Sequence, residues 1–299
     1  VQFSIGRKSV KREKIPFKKD MFLNTEIMQK IKDPYYQLSI DAGCAMEVLV
    51  NDVIVSEWKG KDTAGTAGYF MNMPINQVLL ESGTYKVIGK MYPDYGLKTL
   101  RQENGLSIDF YVGSIDNLKA SSVKFHPRIK SPWHGMSENI AYPYFEIAAE
   151  IVVELPFVLD GWQHSVILAD WDKEDLFKQV LDYYQLIRLV LKEHDATKFL
   201  EMSKEKTKLQ EEAFYFDEEQ KKDFLNGAAQ MFAQNLDVEE LNPSDLTLEI
   251  MGHGKLVRLM RKDGKQPLQF KSPDIEKQSN IELEVKLHLR SKEKGFSII

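Results

Sequence analysis

Two periods divide the chain. Between Tyr36 and Val55 the apolar residues recur at every second position: Tyr36, Leu38 and Ile40, then Met46, Val48 and Val50, and, beyond an Asn51-Asp52 pair, Val53 and Val55. Spacing of this kind places the side chains on one face of a strand, and the two-residue polar link predicts a hairpin. Segments 75–80, 84–91, 106–112 and 145–158 read as further strands, separated by Ser82-Gly83 and by Pro93-Asp94-Tyr95-Gly96. Residues 118–144, with several prolines, two histidines and Trp133, show little periodicity and read as a long excursion.

From Asp172 the spacing lengthens to that of an amphipathic helix. Leu176, Val180, Tyr183-Tyr184, Ile187 and Val190-Leu191 fall on one face, and Asp172 stands where an N-cap belongs. His194-Asp195 interrupts the pattern, and Phe199 and Met202 open a second segment. A third begins at Asp217, with Gln220 placed for a capping box, and is expected to bury Phe224, Leu225, Ala228, Met231 and Phe232. The period then returns to two. Leu246, Leu248 and Ile250 precede a Gly252-His253-Gly254 turn; 255–261 is expected to form a hairpin with 268–271 around Asp263-Gly264. Segment 281–290 reads as one long strand with Leu283, Val285, Leu287 and Leu289 on a single face, and 295–299 as a final edge. Leu176, Val180, Ile187 and Leu191 are expected to pack on that sheet. The pattern predicts an α+β chain of two domains: an antiparallel β-sandwich over 1–160 and, over 161–299, helices packed on a curved antiparallel sheet.

Two resemblances follow. The run Leu79-Leu80-Glu81-Ser82-Gly83-Thr84-Tyr85 resembles the strand entry of immunoglobulin-like accessory domains. The order of helices followed by sheet over 170–299 resembles the cystatin-like α+β cone of SnoaL-type cyclases and many non-catalytic binding domains. That resemblance implies a concave pocket lined by aromatic residues. It brings no catalytic residue with it, because no acid–base pair of that family is recognisable here.

Charge and composition narrow the functional classes only a little. The 299 residues carry a net charge of -5, 43% hydrophobic residues and one cysteine, Cys44, so no intrachain disulfide can form. No run of about 18 apolar residues marks a membrane span. The chain begins at Val1, so it is either processed or trimmed; a removed signal peptide is favoured, and with it export over the cytoplasm. Residues 1–40 hold nine Lys/Arg against four Asp/Glu, and 170–240 hold ten against eighteen. The seven basic residues between Arg7 and Lys19 lack interleaved aromatics, so nucleic-acid binding is not expected.

Candidate chemistry is sparse. Gly60 and Gly65 have phosphate-loop spacing, but Thr66 occupies the lysine position, which removes the nucleotide reading. His134 and Glu138 lack a third ligand and a helix to present them, so no metal site and no cofactor are expected. No serine lies in a Gly-x-Ser-x-Gly elbow, and adjacent His164-Ser165 says nothing of geometry. The residues left for a pocket in the C-terminal half are Tyr184, Phe214, Phe232, Arg258 and His288. The expectation is a non-enzymatic binding or interaction protein whose partner is a protein or a small molecule. The alternative is a small-molecule enzyme of hydrolase or isomerase type acting from that pocket.

Overall fold

The computed structural model describes residues 31–65, 68–117, 122–132 and 142–299. The chain is mixed α+β, and among the described residues every strand pairing is antiparallel. In the N-terminal half, β1 (Pro34–Ala42) is flanked by β4 (Tyr69–Pro74) and by β6 (Leu106–Ser114), with β7 (Val123–Lys130) outermost. A second sheet runs in the order β3 (Val53–Trp58), β2 (Ala45–Val50), β5 (Gly83–Tyr92), β8 (Phe145–Val153). The period-two residues do what their spacing dictates. Tyr36, Leu38 and Ile40 of the first sheet and Met46, Val48 and Val50 of the second belong to one buried cluster. The sheets meet so closely that a Cβ on Gly89 of β5 would lie 2.7 Å from Leu106 and 3.2 Å from Ile108 of β6.

The predicted Asn51-Asp52 hairpin forms, with both turn residues at positive φ. Three expectations fail in this half. Segment 75–80 is a short 3-10 turn rather than a strand, because fully buried Asn76 spends its side chain on the backbone of Tyr36, Pro34 and Ala213. Strand β4 lies where no strand is expected, its Phe70-Met71-Asn72 exposed along an edge. Strand β7 falls inside the expected excursion; as an edge strand carrying Pro127 it buries only Phe125 and shows no alternation to read.

In the C-terminal half, α1 (Lys173–Lys192) is capped by the Asp172 carboxylate, which accepts from the amides of Glu174 and Asp175. His194 at positive φ ends the helical path, and Asp195 caps α2 (Ala196–Met202), followed by α3 (Lys204–Ala213) and α4 (Glu218–Ala233). The Asp217–Gln220 capping box is present. Only Phe232 of α4 is buried, however, with Met231 packed beside it on the second cluster, while Phe224 and Leu225 are exposed, so the helix covers the apolar residues of its last turn and not those of its first turns. None of these helices is long and apolar enough to cross a membrane, among the described residues.

The C-terminal sheet has the order β14 (Phe296–Ile298), β13 (Leu287–Leu289), β10 (Leu256–Arg261), β9 (Leu246–Met251). Leu176, Val180, Ile187 and Leu191 of α1 join Val257, Leu259, Val285 and Leu287 in a second buried cluster, with Leu283 packed against it, as the periodicity predicts. Two pairings differ from expectation. Strand β10 pairs with β9 and β13, while β11 (Leu268–Phe270) turns away to pair with β12 (Ile281–Leu283). The expected long strand is also broken between β12 and β13. Continuing the β10–β13 register would set Leu259 opposite Val285, and the Tyr184 hydroxyl occupies that position. It accepts from the Leu259 amide at 3.1 Å and donates to the Val285 carbonyl at 2.7 Å. One side-chain oxygen thus replaces a ladder hydrogen bond and wedges the strands apart.

The two halves meet hairpin on hairpin. Asp52 in the β2–β3 turn accepts from the Gly252 amide through its carbonyl and from the His253 amide through its carboxylate. At the other end, Gly60 lies against the Asp263 carbonyl, where a Cβ would sit 2.1 Å away, so only glycine fits.

Candidate functional site

Alternation in β10 aims Val257 and Leu259 at α1, and Leu256, Arg258 and Met260 at the N-terminal half. Arg258 is fully buried there. Its Nη2 donates to Glu57 Oε2 at 2.8 Å, its Nε donates to Glu249 Oε2 at 2.8 Å, and Glu284 lies 3.5 Å from Nη1. Nη1 is also 2.8 Å from Glu57 Oε1, an ion pair without hydrogen-bond alignment. A planar guanidinium suits this double carboxylate contact where an ammonium would not. Beside it, Glu47 accepts from Lys59 and, at 2.9 Å, from the Tyr92 hydroxyl.

Oxygens of Glu47, Glu57 and Glu249 lie within 4.8 Å of one another, the spacing of a cation site among the described residues. Arg258 and Lys59 already supply positive charge there, so a metal would have to displace them. The carboxyls respond differently. Burial raises the Glu57 pKa despite the guanidinium beside it. At Glu47 burial pulls the same way, but Lys59, Tyr92 and Lys90 outweigh it and hold the carboxyl below the usual range. The arrangement is a buried electrostatic seam between two sheets.

Farther along the same face of the C-terminal sheet, fully buried His288 is held at both ring nitrogens. Ser165 Oγ lies 2.8 Å from Nδ1, and Glu205 Oε2 lies 3.0 Å from Nε2. Arg290 donates to the same Glu205 oxygen and to Asp160. Burial lowers the His288 pKa against the pull of Glu205, which favours the neutral ring. A neutral imidazole with its proton on Nε2 satisfies every contact: it donates to Glu205 and accepts from Ser165. The serine, histidine and carboxylate stand in hydrolase order, with the hydroxyl on Nδ1 and the carboxylate on Nε2, the reverse of the familiar ring orientation. Ser165 is buried, whereas Glu205 and Arg290 border a cleft of about 380 Å³. The cleft therefore opens at the carboxylate end of the relay.

The five residues expected to share a pocket are distributed over three places. Arg258 and His288 share one face of the C-terminal sheet, Arg258 meeting Glu57 of the N-terminal half and His288 meeting Ser165 and Glu205. Tyr184 and Phe232 lie on the other side of the sheet, Tyr184 in the ladder and Phe232 against Phe199 and Phe270 at 5.5 and 5.6 Å. Phe214 packs on the N-terminal cluster, 5.8 Å from Tyr35. His253 lies in the inter-hairpin turn, its ring 3.1 Å from Asn51. Cys44 is buried, and burial pushes its thiol up to about 12. His134, Glu138 and the basic stretch 7–19 lie outside the described residues. Sequence reading did not find Glu57, Glu249 or Glu205, and met Ser165 only as the neighbour of His164. The polar positions alternating with apolar ones in 246–250, and the single arginine in the apolar run 256–260, were the available signal for a sheet with a charged face. The chain matches no family model, no curated protein and no solved structure.

Proposed function

We propose that the chain is a non-enzymatic protein-interaction protein, with a β-sandwich over residues 1–160 and an α+β domain over 161–299 whose helix α4 presents the contact surface. The observation that carries this is the exposure of α4. A 16-residue helix with its own capping box buries Phe232 alone, and leaves Phe224 38% and Leu225 44% exposed next to half-buried Ala228 and Met231. An amphipathic helix with the first part of its apolar stripe in water has the form that helix-in-groove partners recognise. A photo-crosslinking residue at position 225 is expected to give a discrete adduct in cells of the source organism. That adduct should be absent with the crosslinker at Lys222 and lost on Phe224→Glu. An equal pattern from 222 and 225, or no adduct, ends this reading.

A second reading rests on the Ser165–His288–Glu205 relay: a hydrolase of small esters. Turnover of p-nitrophenyl esters that disappears in Ser165→Ala, with the fold retained by circular dichroism, would establish it. Absence of turnover, or turnover indifferent to Ser165, removes it.

A further inference from the structure

The corner between the start of α1 and the β13–β14 turn holds a cleft of about 490 Å³. Trp171 and Phe296 supply aromatic walls, Leu289 an apolar one, and Asp172 and Asp175 line the same cleft. Phe296 is steadied by the Tyr183 ring, edge-on at 6.2 Å. The two carboxylates are not equivalent. Asp172 is committed to the amides of Glu174 and Asp175 as the helix cap, whereas no described residue pairs with the Asp175 carboxylate. A positive group already sits here: the Lys292 ammonium, carried by the β13–β14 turn, lies 5.3 Å above the centre of the Trp171 ring. An aromatic face attracts a cation through its quadrupole, and a carboxylate beside the face adds a second attraction. Lys292 itself is exposed on a loop, so it can leave without disturbing the core.

We propose that this cleft binds a small alkylammonium ligand, with Trp171 and Phe296 as the walls against its charged head, Asp175 as the counter-ion, and Lys292 as a tethered cation that the ligand displaces. The site is independent of the α4 surface. A cleft of this volume is in the range of small-molecule sites, and the fixed chemistry of its walls favours a methylated or primary ammonium over an anion or a neutral polyol.

The test uses the whole chain at constant ionic strength. Choline chloride is titrated and followed by saturation-transfer difference NMR of its N-methyl protons, in parallel with 3,3-dimethylbutan-1-ol, the neutral isostere of choline. Saturable binding of choline and none of the isostere is expected. Lys292→Ala should tighten choline about two- to five-fold, the loss of one exposed competitor over the ring, while Asp175→Asn and Trp171→Leu should weaken it by at least a similar factor. Asp175 is a surface side chain, so its variant remains informative even where Trp171→Leu perturbs the fold. Equal binding of choline and the isostere, no saturable binding, or a Lys292→Ala variant that binds choline no better would each overturn the assignment.

Discussion

The two faces of the C-terminal sheet are built by alternate residues of the same strands and are held in opposite ways. Toward α1, Val257, Leu259, Leu287 and Leu289 form a dry layer with Leu176, Val180 and Ile187. Each such side chain is worth about 1.5–3 kcal/mol on burial, and any similar apolar shape would serve nearly as well. On the opposite face, Arg258 and Glu249 meet Glu57 of the N-terminal half, while His288 and Arg290 meet Ser165 and Glu205 of the C-terminal half itself. There desolvation opposes attraction, so the net stabilisation is small while the loss of a single partner is large. The dry face stabilises by area; the charged face specifies which surface may lie against it.

The sharpest break in this contrast is Arg258→Ala. It strands Glu57 and Glu249 in the seam and should cost about 3–5 kcal/mol, read as a lowered urea midpoint. Replacing Arg258, Glu57 and Glu249 together by apolar residues of similar volume should recover most of that loss. A silent Arg258→Ala would mean that water reaches the seam. On the dry face, Ile187→Ala should cost about 2–5 kcal/mol with no compensating partner substitution available. Lys192→Ala, one turn on and exposed, should stay within about 0.5 kcal/mol of the parent.

Acid separates the faces as well. His288 is held below its ordinary value of 6.5, so the unfolded chain takes up the proton first as pH falls. The unfolded state then binds more protons than the folded one, and stability present above pH 6.5 declines beneath it. Glu47 and Glu205, shifted down from 4.5, are ionised in both states in that range and contribute their loss only at lower pH. Urea midpoints at pH 7.5 and 5.5 should therefore lie further apart for the parent than for His288→Gln. His126, shifted in the same direction, supplies the control substitution. The smallest global effect belongs to Asp217→Ala. Loss of the cap should cost α4 about 0.5–2 kcal/mol, seen as faster amide exchange at its first turn. The global midpoint should barely move, since α4 buries little.

What could be read from the residues follows the same division. The dry face was legible because burial imposes a period: Leu176 through Leu191 announced the helix and, with Leu283, Val285 and Leu287, its contact, although the one strand expected there is broken between β12 and β13. Tyr184 shows the limit of such reading. Its position on the buried face of α1 was evident, but nothing local says that its hydroxyl enters the ladder between Leu259 and Val285. Phe224 and Leu225 fit the same helical stripe as Phe232, and periodicity alone cannot tell an apolar stripe that is covered from one that is not. The seam was illegible for a different reason. Arg258 meets Glu57 across 201 residues, and His288 meets Ser165 across 123. A charged residue in a strand ordinarily marks a solvent face, and only the arrival of the second sheet at Arg258, and of α3 at His288, turns that face into an interior.

The hairpin-on-hairpin contact has a consequence for how the chain is made. Asp52 and His253 are separated by 201 residues, so at synthesis rates of roughly 5–20 residues per second the first hairpin waits on the order of 10–40 s for the second. Strand β3 is an edge strand throughout, and during that interval the face it shares with β2 is also uncovered. Glu57 on β3 and Glu47 on β2 keep that face charged and hydrated until Arg258 arrives.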